Sequence, residues 1–159
     1  MQRIGVIGIG QSLRGDDAAG LEAVRLWRER FPGTAGRPEV RAETSELPGL
    51  NLLEMLRDVE AAVLVDAVQH PTASPGTLVR VGPDELWSFA PGSGSAHGWG
   101  AAETLQLGRA LDPSLAECRI ILLGIVGATF EMGAGLSPQV RAALAGAAGQ
   151  IEAELQALL

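Results

Sequence analysis

Ala61-Ala62-Val63-Leu64-Val65-Asp66 is an apolar run with no polar alternation that ends on a carboxylate. Such a run reads as a strand buried on both faces, as in a parallel sheet covered by helices. Upstream, Ile4 to Ile9 forms a second short buried strand. It leads into the turn-rich loop Gly8-Ile9-Gly10-Gln11-Ser12-Leu13-Arg14-Gly15. A helix is expected to begin near Asp16 or Asp17, with Leu21, Val24, Trp27 or Arg28, and Phe31 at helical spacing. Pro32-Gly33 is its expected stop.

Glu39 to Thr44 is a predicted strand. Pro48 to Val59 is a predicted helix, with Leu52, Leu53, Leu56 and Val59 on one side. Downstream of Asp66, Gly76 to Val81 reads as a strand entered through Ser74-Pro75-Gly76. Residues 101–110 read as a helix and Arg119 to Val126 as a last buried strand. Ser137-Pro138 opens a C-terminal helix, with serine as N-cap and proline at the first helical position. Strands and helices alternate along the chain. This predicts an α/β protein with a twisted, mostly parallel central sheet and helices on both faces. No repeat or long linker divides it, so residues 1–159 are expected to form a single domain.

The chain has 159 residues, 47% of them hydrophobic and only 4% aromatic, so the core must rest on Leu, Val, Ile and Ala. Its formal charge of −7 disfavours nucleic acid as a partner. No Lys/Arg cluster suits an anionic membrane, and no segment reaches the roughly 18 apolar residues of a membrane span. Cys118 is the only cysteine, which excludes an internal disulfide and fits a reducing compartment. The N-terminal apolar run is too short for a signal peptide. A cytoplasmic protein is expected.

Three residues could carry chemistry. Ligands of open α/β sheets bind beyond the carboxyl ends of the strands. Asp17 follows the first strand, Asp66 ends the most apolar one, and His97 sits among Gly92, Gly94, Gly98 and Gly100 after the fourth. A buried carboxylate is costly unless paired or bound to a cation, although Asp66 could instead cap a turn. Asp16 and Asp17 lie about 100° apart on a helix, so one can cap while the other faces a site. His70, in a Pro-containing turn, is the rival histidine. Two carboxylates and an imidazole suit a borderline divalent metal such as Zn²⁺ or Ni²⁺.

The alternatives fit less well. There is no HExxH pair and no GxSxG elbow. Cys118 opens a buried strand, a poor place for a nucleophile. Gly8 and Gly10 match the start of a dinucleotide fingerprint, but its third glycine is missing and there is no Walker lysine.

Taken together, Gly8-Ile9-Gly10-Gln11-Ser12-Leu13-Arg14-Gly15-Asp16-Asp17-Ala18-Ala19-Gly20, Val65-Asp66-Ala67, Pro75-Gly76-Thr77, Ser95-Ala96-His97-Gly98 and Gly135-Leu136-Ser137-Pro138 resemble the motifs of the hydrogenase maturation proteases, in the family's order. The resemblance implies a three-layer α/β/α fold. It implies an aspartic-type endopeptidase that activates a [NiFe] hydrogenase by removing a C-terminal extension from the nickel-loaded large-subunit precursor. It also implies that Asp17, Asp66 and His97 contact the metal. The nickel would be supplied by the precursor, and another divalent metal in the isolated protein is compatible with the same ligands. Asp16 would support the loop or cap the helix, and the glycine loops 8–15 and 92–100 would let the substrate tail approach.

Three departures stand out. Gln11 replaces an asparagine, the 43–49 loop differs with Glu43 as a substitute acid, and Gly124 to Ala128 lacks a polar residue and a proline. The second departure raises the alternative of a non-catalytic metal- or precursor-binding module on the same fold. A metal-free Asp–His hydrolase is a further alternative, distinguished by indifference to chelators.

Overall fold

A computed structural model describes residues 2–46, 50–88 and 100–159. Five strands form one sheet: β1 (Ile4–Ile9), β2 (Val40–Ser45), β3 (Ala61–Val68), β4 (Leu78–Val81) and β5 (Arg119–Val126). Their order is β2-β1-β3-β5-β4, with every pairing parallel except β4 against β5. The expected central strand is the middle one. All eight of its residues are buried, because both its faces are covered. Even-numbered residues Ala62, Leu64 and Val68 join one core cluster, while Val63, Val65 and Ala67 join the other.

Helices α1 (Ala19–Arg30) and α6 (Pro138–Leu158) cover one face. Helices α3 (Leu50–Met55), α4 (Pro83–Ser88) and α5 (Gly100–Leu111) cover the other, and the short α2 (Pro32–Ala35) follows α1. The architecture is therefore the three-layer α/β/α arrangement. Among the described residues, no helix is long and apolar enough to cross a membrane.

Several local expectations change. Asp16 and Asp17 lie in a 3-10 turn, Gly15–Ala18, and α1 starts only at Ala19. Pro32 ends α1 but becomes the first residue of α2, where its missing N–H costs nothing. Asp66 does not end its strand. β3 continues to Val68, and Asp66 pairs in register with Gly124. Strand β4 is shorter than expected and antiparallel, since the turn at Gly76 reverses the chain directly onto β5.

Ser137 does cap α6, accepting from the Val140 N–H at 3.4 Å. The buried residues of α6 include one carboxylate, Glu154, which the Arg80 side chain of β4 neutralises through two nitrogens.

Gly20 sets the distance between α1 and the sheet. A Cβ there would stand 2.2 Å from the Val65 carbonyl oxygen and 2.5 Å from that of Ile9. Both are backbone atoms of the sheet, in β3 and at the end of β1, and neither can turn away. Gly20→Ala should therefore lift α1 and lower the unfolding free energy by about 3 kcal/mol or more, at or above the usual overpacking range. A urea titration measures it, and an unchanged midpoint would show that the helix slides freely.

A candidate active site at the carboxyl end of the sheet

In the order β2-β1-β3, the chain leaves β1 for one neighbour and later returns on its other side. The crevice above β1 and β3 is thus the switch point where doubly wound sheets bind ligands. A cavity of about 550 Å³ opens there, and Asp17 and Asp66 both line it. Asp17 arrives on the 3-10 turn after β1. Asp66 arrives on β3, which runs further than β1: Gly8 pairs with Val65, so Asp66 lies level with the end of its shorter neighbour.

Backbone geometry fixes Asp17. Its carboxylate accepts from the Gln11 N–H at 3.0 Å, a bond made by the main chain and thus indifferent to the Gln-for-Asn change. Gly10, at φ 151°, lets the loop double back on the turn. A Cβ there would meet the Asp17 carbonyl oxygen at 1.8 Å. This glycine serves the close packing of the loop on the turn that carries Asp17. Partial burial raises the Asp17 carboxyl above its usual range, against the opposing pull of the Gln11 N–H and the Arg14 charge.

Asp66 is the more perturbed group. It is 6% exposed, and no Lys, Arg or His among the described residues forms an ion pair with it. It accepts from the Ala101 N–H at 3.4 Å, in the first turn of α5, where the helix dipole favours a carboxylate. That help is insufficient. Burial first, and then the charge of Asp17, push its pKa up to about 7. A carboxylate so placed is an unneutralised acceptor, and its donor chemistry fits a divalent cation.

The two aspartates of the opening motif divide their work. Asp16 is fully buried and faces away from the cavity. It does not cap its own helix. Its carboxylate accepts from the N–H groups of Ala128 (2.7 Å), Thr129 (3.2 Å) and Ser137 (2.7 Å) and from the Ser137 hydroxyl (2.8 Å). Burial alone would raise its pKa, but these four donors outweigh it and hold the carboxyl below its ordinary value. The expected support for the loop is thus directed at the segment after β5.

His97 lies outside the described residues, as do Gly92, Gly94 and Gly98. Among the described residues, no three His, Cys, Asp or Glu side chains gather as a metal cluster. The rival, His70, is exposed and does not line the cavity. Its Nδ1 accepts from the N–H groups of Thr72 (3.2 Å) and Ala73 (2.9 Å), which makes it a turn organiser. Cys118 is buried just before β5, at the opposite end of the sheet. Burial, helped by Glu60, pushes its thiol up to about 11, so it has no nucleophile role here.

The acid contributed by the divergent 43–49 loop is Glu46. Glu43 pairs with Ile7 inside the sheet, whereas Glu46 follows the Ser45–Ile9 pair and so emerges at the carboxyl edge. It lines the cavity and accepts from the Ser12 N–H at 2.7 Å. Only the β1–β2 register distinguishes the two, and composition carries no signal of it. Glu103 lines the cavity as well, leaving Arg14 as the one cation on the described wall.

The site is thus a set of carboxylates gathered at the switch point of a three-layer α/β/α domain. The family model described as hydrogenase maturation protease (HycI) matches residues 47–154. The chain is 26% identical over 155 residues to the hydrogenase 2 maturation protease of Escherichia coli (strain K12), covering 97% of this chain and 91% of that protein. It is 31% identical over 141 residues to the hydrogenase expression/formation protein HupM of Azotobacter chroococcum mcd 1, covering 87% and 65%. Two of the solved structures that the chain resembles are from this group. One is the [NiFe] hydrogenase maturation protease HybD from Thermococcus kodakarensis (TM-score 0.68, 26% identity, 95% and 97% coverage). The other is the hydrogenase maturating endopeptidase HybD from E. coli, which bears on the fold (TM-score 0.74, 23% identity, 98% and 93% coverage). The chain belongs to the hydrogenase maturation protease family, and it is accordingly an enzyme of the hydrolase type, an endopeptidase.

Proposed function

We propose that this endopeptidase removes a C-terminal extension from the large-subunit precursor of a [NiFe] hydrogenase after nickel insertion, with Asp17, Asp66 and His97 meeting the metal. The observation that carries this reading is Asp66: a buried carboxylate, without an ion-pair partner among the described residues, that lines one cavity with Asp17. Two like-charged acids held together in a partly dry cavity are unfavourable until a cation arrives. A precursor that already contains nickel brings that cation, so the empty-handed precursor is bound less well. Nickel is thereby part of the substrate and a sign of readiness.

The protein's own groups supply the rest. Gln11 and Ala101 fix the two carboxylates, and the surrounding walls restrict water. Ser45 and Glu46 of the divergent loop form part of the same wall, so that loop bears on which precursor is accepted.

The test is co-expression with a large-subunit precursor from the same source, with and without nickel loading, followed by intact mass. Loss of a C-terminal peptide only from the nickel-loaded form, abolished by Asp17→Ala or His97→Ala, is the expected result. Cleavage of the nickel-free precursor at an equal rate would refute the readiness reading. A ligand histidine must be neutral, so activity should fade below about pH 6. Full activity at pH 5 counts against His97 as a ligand.

A further inference from the structure

Leu13 and Met132 are among the most exposed large apolar side chains, at 69% each, and neither belongs to a core cluster. Leu13 is the leucine of the opening motif, so its place there is not explained by packing. The main chain joins the two segments that carry them. The Gly133 N–H donates to the Leu13 carbonyl at 2.7 Å, the Gly15 N–H to the Ala134 carbonyl at 3.0 Å, and the Asp16 N–H to the Thr129 carbonyl at 2.8 Å. The Asp16 carboxylate adds its four bonds to the same segment. The backbone beneath this apolar pair is therefore fixed.

The pair also adjoins the cavity. Arg14 follows Leu13, and Phe130 lies two residues before Met132; both line the cavity with Asp17 and Asp66. The rest of the described lining mixes the polar Ser45, Glu46, Gln69, Glu103 and Thr104 with the apolar Ile9, Leu52, Ala67 and Ala101. Single exposed hydrophobic residues need no explanation. A joined pair on rigid backbone at the mouth of a site is different, because little conformational freedom remains to be lost on contact.

We propose that Leu13 and Met132 form the docking edge for the folded body of the precursor, where they meet an apolar patch beside the root of the segment to be cut. This rests on the reading of the protein as a precursor endopeptidase. A cavity of about 550 Å³ admits only a stretch of tail, so the rest of a protein substrate must lie against the rim. The exposed Leu13–Met132 arc beside the cavity excludes water on contact and thereby sets the side from which the tail enters.

The experiment compares wild type, Leu13→Ser, Met132→Ser, the double variant, and Leu107→Ser as a control. Leu107 is 59% exposed on α5 and does not line the cavity. Steady-state cleavage of the nickel-loaded precursor gives KM and kcat, and calorimetry gives the precursor's Kd. The double variant should raise KM and Kd about tenfold or more, as expected for two apolar side chains no longer buried on binding. Its kcat should stay within about twofold, and Leu107→Ser should match wild type. All three positions are exposed, and matching thermal melts verify the fold. Unchanged KM and Kd would overturn the proposal, as would a fall in kcat alone. A wild-type dimer that Leu13→Ser dissociates in sedimentation would assign the edge to self-association instead. If wild type binds the precursor without cutting it, the endopeptidase reading fails while the Kd comparison still decides the docking edge. Absence of any binding overturns both.

Discussion

Asp66→Asn is expected to give a protein that is more heat-stable than wild type and inactive. Folding moves the Asp66 pKa from 3.8 to about 7. The folded state therefore holds the proton more tightly than the unfolded chain does. Stability contributed at this position is greatest at low pH, falls as the pH rises from about 4 to about 7, and is level above that. A tenfold change in proton affinity is worth about 1.4 kcal/mol, so the ionised carboxylate withholds on the order of 4 kcal/mol from the metal-free protein at pH 8. Asparagine keeps the shape and carries no charge.

The metal-free variant should then melt on the order of 8–16 °C above wild type at pH 8, with the gap closing towards pH 4. Scanning calorimetry across that range measures it. Equal melting points at pH 8 would mean that the carboxylate is not desolvated. Cleavage of the nickel-loaded precursor should fall by about 10²–10³-fold or more, the usual effect of removing one group that meets charge in a site. The pairing of gain and loss is the signature of a group kept for function against stability.

Its neighbour in the site's framework behaves in the opposite way. Asp16→Ala should be among the most destabilising single changes in the chain. It removes four hydrogen bonds to an ionised acceptor and leaves the Ala128, Thr129 and Ser137 donors without that partner. Bonds to charged groups are worth about 1.5–3 kcal/mol each and do not add fully, so a loss of about 4 kcal/mol is expected, visible in a urea titration. Asp16→Asn should recover part of it, since an amide oxygen still accepts from one or two of those donors.

The pH dependence carries the same sign argument. Folding lowers the Asp16 pKa below 3.8. Its stabilisation is complete above that value and is lost as the pH falls through the folded-state value. Activity of Asp16→Ala at a temperature where it remains folded should drop too, because Asp17 is presented by the same turn. Wild-type activity there would show that the turn holds Asp17 without its anchor.

Adjacent aspartates with such different roles show what one-dimensional pattern reveals and what it omits. That neighbouring side chains can point apart, leaving one free for a site and the other for structure, is legible in the sequence. That Asp16 reaches across to Ser137, 121 residues away, is not. The choice of Glu46 over Glu43 is of the same kind. Both are acids of one segment, and only the pairing of Ser45 with Ile9 places Glu46 beyond the sheet. Gly20 reads as a helix residue of low propensity until β1 and β3 lie beneath it.

By itself the sequence determined the α/β class, the buried run Ala61–Asp66 of the central strand and the start of α6 at Ser137-Pro138, and its motifs singled out Asp17, Asp66 and His97 as candidates. These rest on periodicity, capping and motif spacing, which are set by neighbours a few residues apart. Only the tertiary structure decided the antiparallel turn of β4, the shared cavity of Asp17 and Asp66, the anchoring of Asp16, and the exposed Leu13–Met132 edge. Each depends on strand register or loop pairing between distant segments. Burial and hydrogen-bond satisfaction over the whole fold select those contacts, and no local propensity encodes them.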